Sequence, residues 1–537
     1  MKNRFFLCGW MIAAMMLLSI AFVSCSKGSD KKKDLVPKDA SMVIELDMTQ
    51  LVLKSNFLMY KDDIADLFTS AGGDNQASQR FAKAMREVDD GGMNFNKPVY
   101  IFTTADCDGI FVLTSVKHKE EIIRNVQELN DRTRIIEDEK EGVVWAEMDG
   151  ETVAVITDDA FLIGAAKNDR MFRKILAEGG GFFETPMGAT FKAHRGDMTV
   201  AVNPKAITPK GRRNLIDMMR NTKMAGLFDD DKLWDVLQKA SLVGNIKFST
   251  GEISLNLYSA TDEPFDPVCI PISTDVFDQI PMRNTLAVVA AGINGEELAK
   301  VIRRELENAG KRIDMEMNLI LSALKDVKGS TALSLGLNEW NKNEPEVIAT
   351  LPVDKSSAQM LSSILSQSFD RSLYVSGGNP YSAISNMPSY QYGSVRTKNR
   401  IGDRAKGCLL YGFVNFETFY EIMLQEQLEN GGYDASDNMS IVAKLVEIFK
   451  IFELKMTSNS DLSLVLTMQN NQRNSLDVVL RTILDLAKEE MDRRAALNSY
   501  YNSYPDNHYY GEPDYVGYDE DFEEHWLEMD SLEEVAW

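Results

Sequence analysis

Leu242-Val243-Gly244-Asn245-Ile246-Lys247-Phe248 and, past Ser249 to Glu252, Ile253-Ser254-Leu255-Asn256-Leu257-Tyr258 is the stretch from which the fold is read. Ile246 and Phe248, then Ile253, Leu255 and Leu257, alternate with polar neighbours. That period describes an antiparallel hairpin with one face on a core and the other in water. The same pattern returns at Leu454-Lys455-Met456 and at Leu462, Leu464 and Leu466.

Working outward, other blocks recur in the same order. Residues 42–46 read as a strand followed by a helix from Gln50, with Asp47 or Thr49 as its cap. Residues 286–290 repeat this, with Asn294, Glu296 and Glu297 opening a helix through Leu298 and Ile302. Paired strands at 99–103 and 110–116, joined by Asp106-Cys107-Asp108-Gly109, precede a helix with Ile122, Ile123, Val126 and Leu129 on one face. Strands at 332–337 and 346–351 likewise precede a helix through Met360 and Leu361. A further hairpin turns at Asp149-Gly150, and a strand at 161–165 leads to a helix through Phe172 and Leu176. The strand at 198–202 ends in Asn203, and the one at 409–414 ends in Asn415. Asn203 and Asn415 lie 212 positions apart, and Ile246 and Leu454 lie 208 apart. The opening strands are offset by 244, read as less chain in the first half or an early insertion in the second.

Ordered recurrence of this kind points to a tandem duplication, and repetition outranks local propensity in deciding architecture. The expected fold class is α+β: two similar halves, antiparallel sheets with helices packed on one face. The halves are placed at 37–261 and 282–491, joined by a linker at 262–281 that holds Pro264, Pro267, Pro271 and Pro281. A chain of 537 residues exceeds what one hydrophobic core usually serves, in line with two units.

The start of the chain carries an address. Lys2 and Arg4 precede an almost wholly apolar run, which ends in Phe22-Val23-Ser24-Cys25. Charge, then apolar residues, then small residues is the order of a secretory leader. A cysteine at the cleavage position resembles a bacterial lipobox, which implies removal of 1–24 and a lipid on Cys25. An uncleaved membrane helix is the competing reading, because the run is long enough to span. The loose polar tether 25–36 favours cleavage, and its Lys31-Lys32-Lys33 can rest on anionic headgroups. Lysines there, in place of an acidic cluster, lean towards the outer membrane facing the periplasm.

Pro37, Ala40, the short strand, Asp47, Leu51 and Lys54-Ser55 resemble the start of a family of lipoproteins of Bacteroidetes-type bacteria, known as a domain of unknown function. The resemblance covers about the first sixty residues and implies no activity.

Composition excludes more than it selects. The formal charge is −23, and −25 without Lys2 and Arg4, which argues against a nucleic-acid partner. Cys107, Cys269 and Cys408 remain in the body, odd in number and widely spaced, unlike a disulfide framework. Unpaired thiols are favoured, with one bridge left open. The body's His118 and His194 begin no metal motif, and there is no nucleophile elbow, P-loop or dinucleotide fingerprint, so no cofactor or metal is expected. Asp229-Asp230-Asp231 reads as helix capping rather than a calcium loop. Paired carboxylates for an envelope hydrolase need not be close in sequence, and nothing selects a pair.

Two segments are candidate binding elements. Residues 376–404 read as a long irregular loop with Tyr381, Tyr390, Tyr392, Arg396, Lys398 and Arg400, suited to an acidic partner or a glycan, or else a mobile insertion with no ligand. The tail 499–537 has no Lys or Arg. Phe522, Trp526, Met529 and Leu532 fall there at helical spacing among acids, fit for a partner's groove or for docking on the protein itself, with a disordered solubilising tail as the alternative. The expected role is a non-catalytic binding or scaffolding lipoprotein held to the membrane through Cys25, with the hydrolase as alternative.

Overall fold

Strand β1 (Met42–Leu46) is flanked antiparallel by β2 (Val99–Thr103) and β8 (Met198–Val202), and from these three the first unit grows. The computed structural model describes residues 35–502. Excepted are 130–132, 165–169, 260–267, 281–284, 338–344, 388–400, 421–446, most of 73–90 and 219–240, and a few short or single positions. The chain divides into two units, 1–193 with 197–241 and 480–537, and 194–196 with 242–479.

In the first unit, β3 (Ile110–Ser115) pairs with β2, and β7 (Ala160–Gly164) pairs with β3. Then come β6 (Glu151–Ile156), β5 (Val143–Met148) and β4 (Thr133–Asp138), each antiparallel to the last. Asp149 and Gly150 turn β5 into β6, both with positive φ. That left-handed conformation is what makes Asp-Gly a hairpin signal. Both faces of this sheet are buried. On one, Ile101, Val112 and Ile163 meet Ile122 and Val126 of α3 (Lys119–Leu129) and Val144 and Ala146 of β5. On the other, Phe102 stacks on Phe111, which meets Phe172 of α4 (Arg170–Glu178) edge-on at 5.5 Å, a favoured arrangement of ring quadrupoles. Phe182 and Phe183, with Phe191 of α5 (Pro186–Ala193), extend that aromatic layer. Helices therefore cover both faces here, not the single face expected, because odd and even strand positions are both large and apolar.

Helix α1 (Met48–Ser55) begins where Asp47 accepts the Gln50 amide at 3.0 Å, and it stops where Asn56 turns left-handed. Both ends follow ordinary capping chemistry. Val52, Phe57, Ile64 and Ala65 of α1 and α2 (Phe57–Gly72) form a second cluster with Leu484 of α11 (Ser475–Asn502). Helix α6 (Pro209–Met218) packs its start on the turn after β2, with Thr208 donating to Asp106.

The second unit runs β9 (Leu242–Ser249), β10 (Glu252–Ser259), β18 (Asp461–Met468), β17 (Phe449–Ser458), β16 (Leu410–Asn415) and β11 (Thr285–Asn294). It continues with β12 (Lys328–Leu337), β13 (Pro345–Leu351), β15 (Ser382–Ser385) and β14 (Tyr374–Gly377), all neighbours antiparallel. Its helices are α7 (Gly295–Asn308), α8 (Met315–Lys325), α9 (Lys355–Phe369) and the short α10 (Gly402–Ala405).

Antiparallel sheets with helices make the fold α+β. Three boundaries move. The hairpin β9–β10 counts with the second unit rather than the first, because β10 pairs with β18 along its length. The expected linker is only partly one: Ile272, Val276, Phe277 and Ile280 are buried in the second core, on a 3-10 turn capped by Ser273. The expected loop 376–404 contains β15 and α10, and its Tyr381 is a core residue.

Candidate functional site

The uncharged side of the second sheet is the feature that sets this chain apart from an ordinary closed core. Directly paired residues on antiparallel strands share a face, so the register assembles side chains from distant parts of the chain into rows. One row is Ile246, Leu255, Leu464, Leu454, Gly412, Val289, Leu333, Ala349. The next is Phe248, Ile253, Leu466, Phe452, Val414, Ala287, Leu335, Val347. Neither row carries a charge across eight strands.

Burial along β12 inverts the usual order. Ser330, Ala332, Ser334 and Gly336 point into the core, while Leu333 is 53% exposed and Val289 beside it 52%. Small residues fit inward because that side is filled by the 272–280 segment and Tyr411, with Ser330 Oγ accepting the Ser273 amide. The large aliphatic side chains are left facing out, where exposed area costs roughly 25 cal/mol per Å² of unburied surface.

Two helices border this side. Leu324 of α8 and Ala358 and Leu361 of α9 pack with Ile384, which is paired to Ala349 in the first row. Both helices nevertheless expose aliphatic triads: Met315, Leu319 and Ile320 on α8, and Met360, Ile364 and Leu365 on α9. Scattered exposed apolar residues are ordinary; here they fall on the sheet and on two helices that border it.

The opposite side holds a polar staple. Glu453 is buried on β17, where Tyr411 donates its phenol to Oε1 at 2.6 Å and Arg404 of α10 reaches Oε2 at 3.1 Å. Lys455 stands 3.6 Å from the same oxygen. Burial pushes the Tyr411 phenol far up, with the Glu453 hydrogen bond and charge adding to it, and burial also raises the Cys408 thiol. In both groups desolvation disfavours the charged form. With its oxygens taken, Glu453 ties α10 to the sheet rather than offering an acid to a substrate.

Of the residues singled out from sequence, Cys25, Tyr390, Tyr392, Arg396, Lys398, Arg400, Asp229, Asp230, Asp231, Phe522, Trp526, Met529 and Leu532 lie outside the described residues. The resemblance motif does structural work. Asp47 caps α1, Lys54 bridges both oxygens of Asp197 at 2.7 and 2.8 Å, and Ser55 donates to the Val52 carbonyl. His194 stacks on Tyr258 with ring centres 3.6 Å apart. Cys107 and Cys408 are buried and Cys269 exposed, all three as free thiols. The exposed leucines were missed, although small-large alternation through Lys328–Leu337 was readable. No described helix is long and apolar enough to cross a membrane.

Comparison with protein-family models finds no match, and neither does comparison with curated proteins. Among solved structures the chain is similar to TP0453 in its crystal form III, at 9% identity and a TM-score of 0.20, covering 70% of this chain and 100% of that one. Crystal form I of the same protein aligns at 8% identity and 0.19, covering 70% and 99%. Similarity this low carries no argument about fold or function, so the reading of this chain rests on its own residues.

Proposed function

We propose that the protein is a lipid-anchored protein of the bacterial cell envelope with a non-catalytic binding role. In this reading the uncharged face of the second unit receives an apolar partner. The exposure of Leu333 and Val289 at the middle of the sheet, flanked by small inward residues, is the observation that carries it. The leader ending in Cys25 and the polar tether support the anchor, with the outer membrane facing the periplasm as the favoured place.

A duplicated origin sharpens the argument. The first unit orders its strands β8, β1, β2, β3, β7, β6, and the second orders β16, β11, β12, β13, β15, β14, which supports descent from one ancestral half. The helices after β1 and β11 both start at a capping side chain, Asp47 and Asn294. The surplus chain lies in the first half as β4 and β5, where the spacing requires it: residue 42 to Asn203 is 161 positions and residue 286 to Asn415 is 129, so reading the 244-residue offset as less chain in the first half had the sign reversed. Those strands help close the face on which α3 lies. In the second unit, the face on which α9 lies leaves Leu333 uncovered.

Native mass spectrometry of protein purified from its own membranes tests the reading. The parent is expected to retain an apolar molecule or envelope partner that Leu333→Asn with Val289→Asn releases at unchanged stability. Equal retention by the variant would remove the face from the proposal. Unchanged lipid labelling of Cys25→Ser would remove the anchor.

A further inference from the structure

The first unit has an apolar patch of its own at the corner between α1 and α2. Leu53 is 56% exposed, Leu58 52% and Met59 79%, with Ile483 of α11 at 50%. Three of these four are chain neighbours of Val52, Phe57 and Leu484, members of one buried cluster. The patch is therefore the outer rim of that cluster. We infer that residues 522–532 of this same chain dock on it, laying Phe522, Trp526, Met529 and Leu532 over Leu53, Leu58 and Met59.

Reach supports this occupant. Lys488 on α11 is held to Asp63 on α2 at 2.7 Å, which fixes where the helix leaves the cluster. Helix α11 ends at Asn502, fourteen residues further on. At the rise of an α-helix those residues advance the chain by about 21 Å. Residues 503–521 lie between that end and the stripe. A flexible chain of that length would have a root-mean-square span of roughly 24 Å, enough to cover the return distance. A tether of matched length raises the effective concentration of the segment at the patch. Pattern supports it as well: the stripe offers apolar anchors at helical spacing, and a helix this short needs a surface to persist in water.

Amide hydrogen exchange on the purified full-length lipidated protein tests the assignment. Residues 522–532 are expected to be protected in the parent and to lose protection in Leu58→Asp with Met59→Asp. Both positions are exposed, so the denaturation midpoint should hold. Phe522→Ala with Trp526→Ala should lose the same protection from the other side. A fully exchanging tail in the parent, or protection that survives Leu58→Asp with Met59→Asp, overturns the inference. Protection that grows with protein concentration would assign the patch to a second copy's tail, and protection that needs added anionic vesicles would assign it to a lipid surface. Either outcome also overturns it.

Discussion

Tyr411 donates its phenol to Oε1 of buried Glu453 across 2.6 Å, joining the start of β16 to the middle of β17. Tyr411→Phe removes a charge-assisted donor from a buried carboxylate, so the second unit should lose about 1.5–3 kcal/mol. The pH dependence has a definite sign. Burial holds the phenol protonated in the folded state, whereas the unfolded chain releases that proton at about pH 10. Above that pH the unfolded state binds fewer protons, and stability falls by about 1.4 kcal/mol per pH unit from this group. Urea melts at pH 8 and pH 11 should show the parent converging on Tyr411→Phe as pH rises. Parallel curves would mean the phenol is not sealed in.

Lys54 and Asp197 form the comparable tie in the first unit. The Asp197 side chain is 6% exposed and its Lys54 partner 27%. Lys54→Met takes the ammonium away from a buried carboxylate, with a cost of about 3 kcal/mol, and adding Asp197→Asn should return part of it. Chemical denaturation of the two single variants and the double variant measures the coupling. Additive effects would reduce the pair to a surface contact.

Much of this was legible because it is local. The hairpin at Asp149-Gly150, the Asp47 cap and the alternation around Ile246 and Leu255 each leave a mark within a few residues. Pairing of β10 with β18 leaves none, since Leu255 and Leu464 are brought together only by the folded register. The core role of Ile272, Val276 and Phe277 was hidden by flanking prolines that read as a linker. In 376–404, Gly377, Gly378 and the tyrosines outweighed the short strand at Ser382–Ser385, too brief to show a period. The uncovered face was illegible for a different reason: alternation says that two faces differ, not which one meets solvent.

The inverted burial of β12 makes an asymmetric prediction. Leu333→Thr and Val289→Thr remove apolar surface that is already half in water, so each should change stability by less than about 0.5 kcal/mol. Ala332 lies one position away in the cluster that holds Ile272 and Tyr411. Ala332→Leu overfills that packed core at a cost of about 1–3 kcal/mol. Thermal melts of the three variants check this. A large loss from Leu333→Thr would show that the face is covered within the protein itself.

Thr114 on β3 and Thr350 on β13 are both buried, and neither hydroxyl finds a partner among the described residues. A buried hydroxyl without a hydrogen bond carries its desolvation penalty uncompensated, roughly 1–3 kcal/mol. Valine keeps the branched shape and replaces the hydroxyl by a methyl group, so Thr114→Val and Thr350→Val should each stabilise their unit by about 1 kcal/mol. They lie in different units, on strands that share no register, so the double variant should add. Thr350 is the cleaner case, since its strand neighbours Ala332 and Ala383 leave room for a methyl group. Urea midpoints at constant slope would register the gain. A loss at either site would mean that the hydroxyl holds a buried water, and the valine variant would then be short of that water's hydrogen bond.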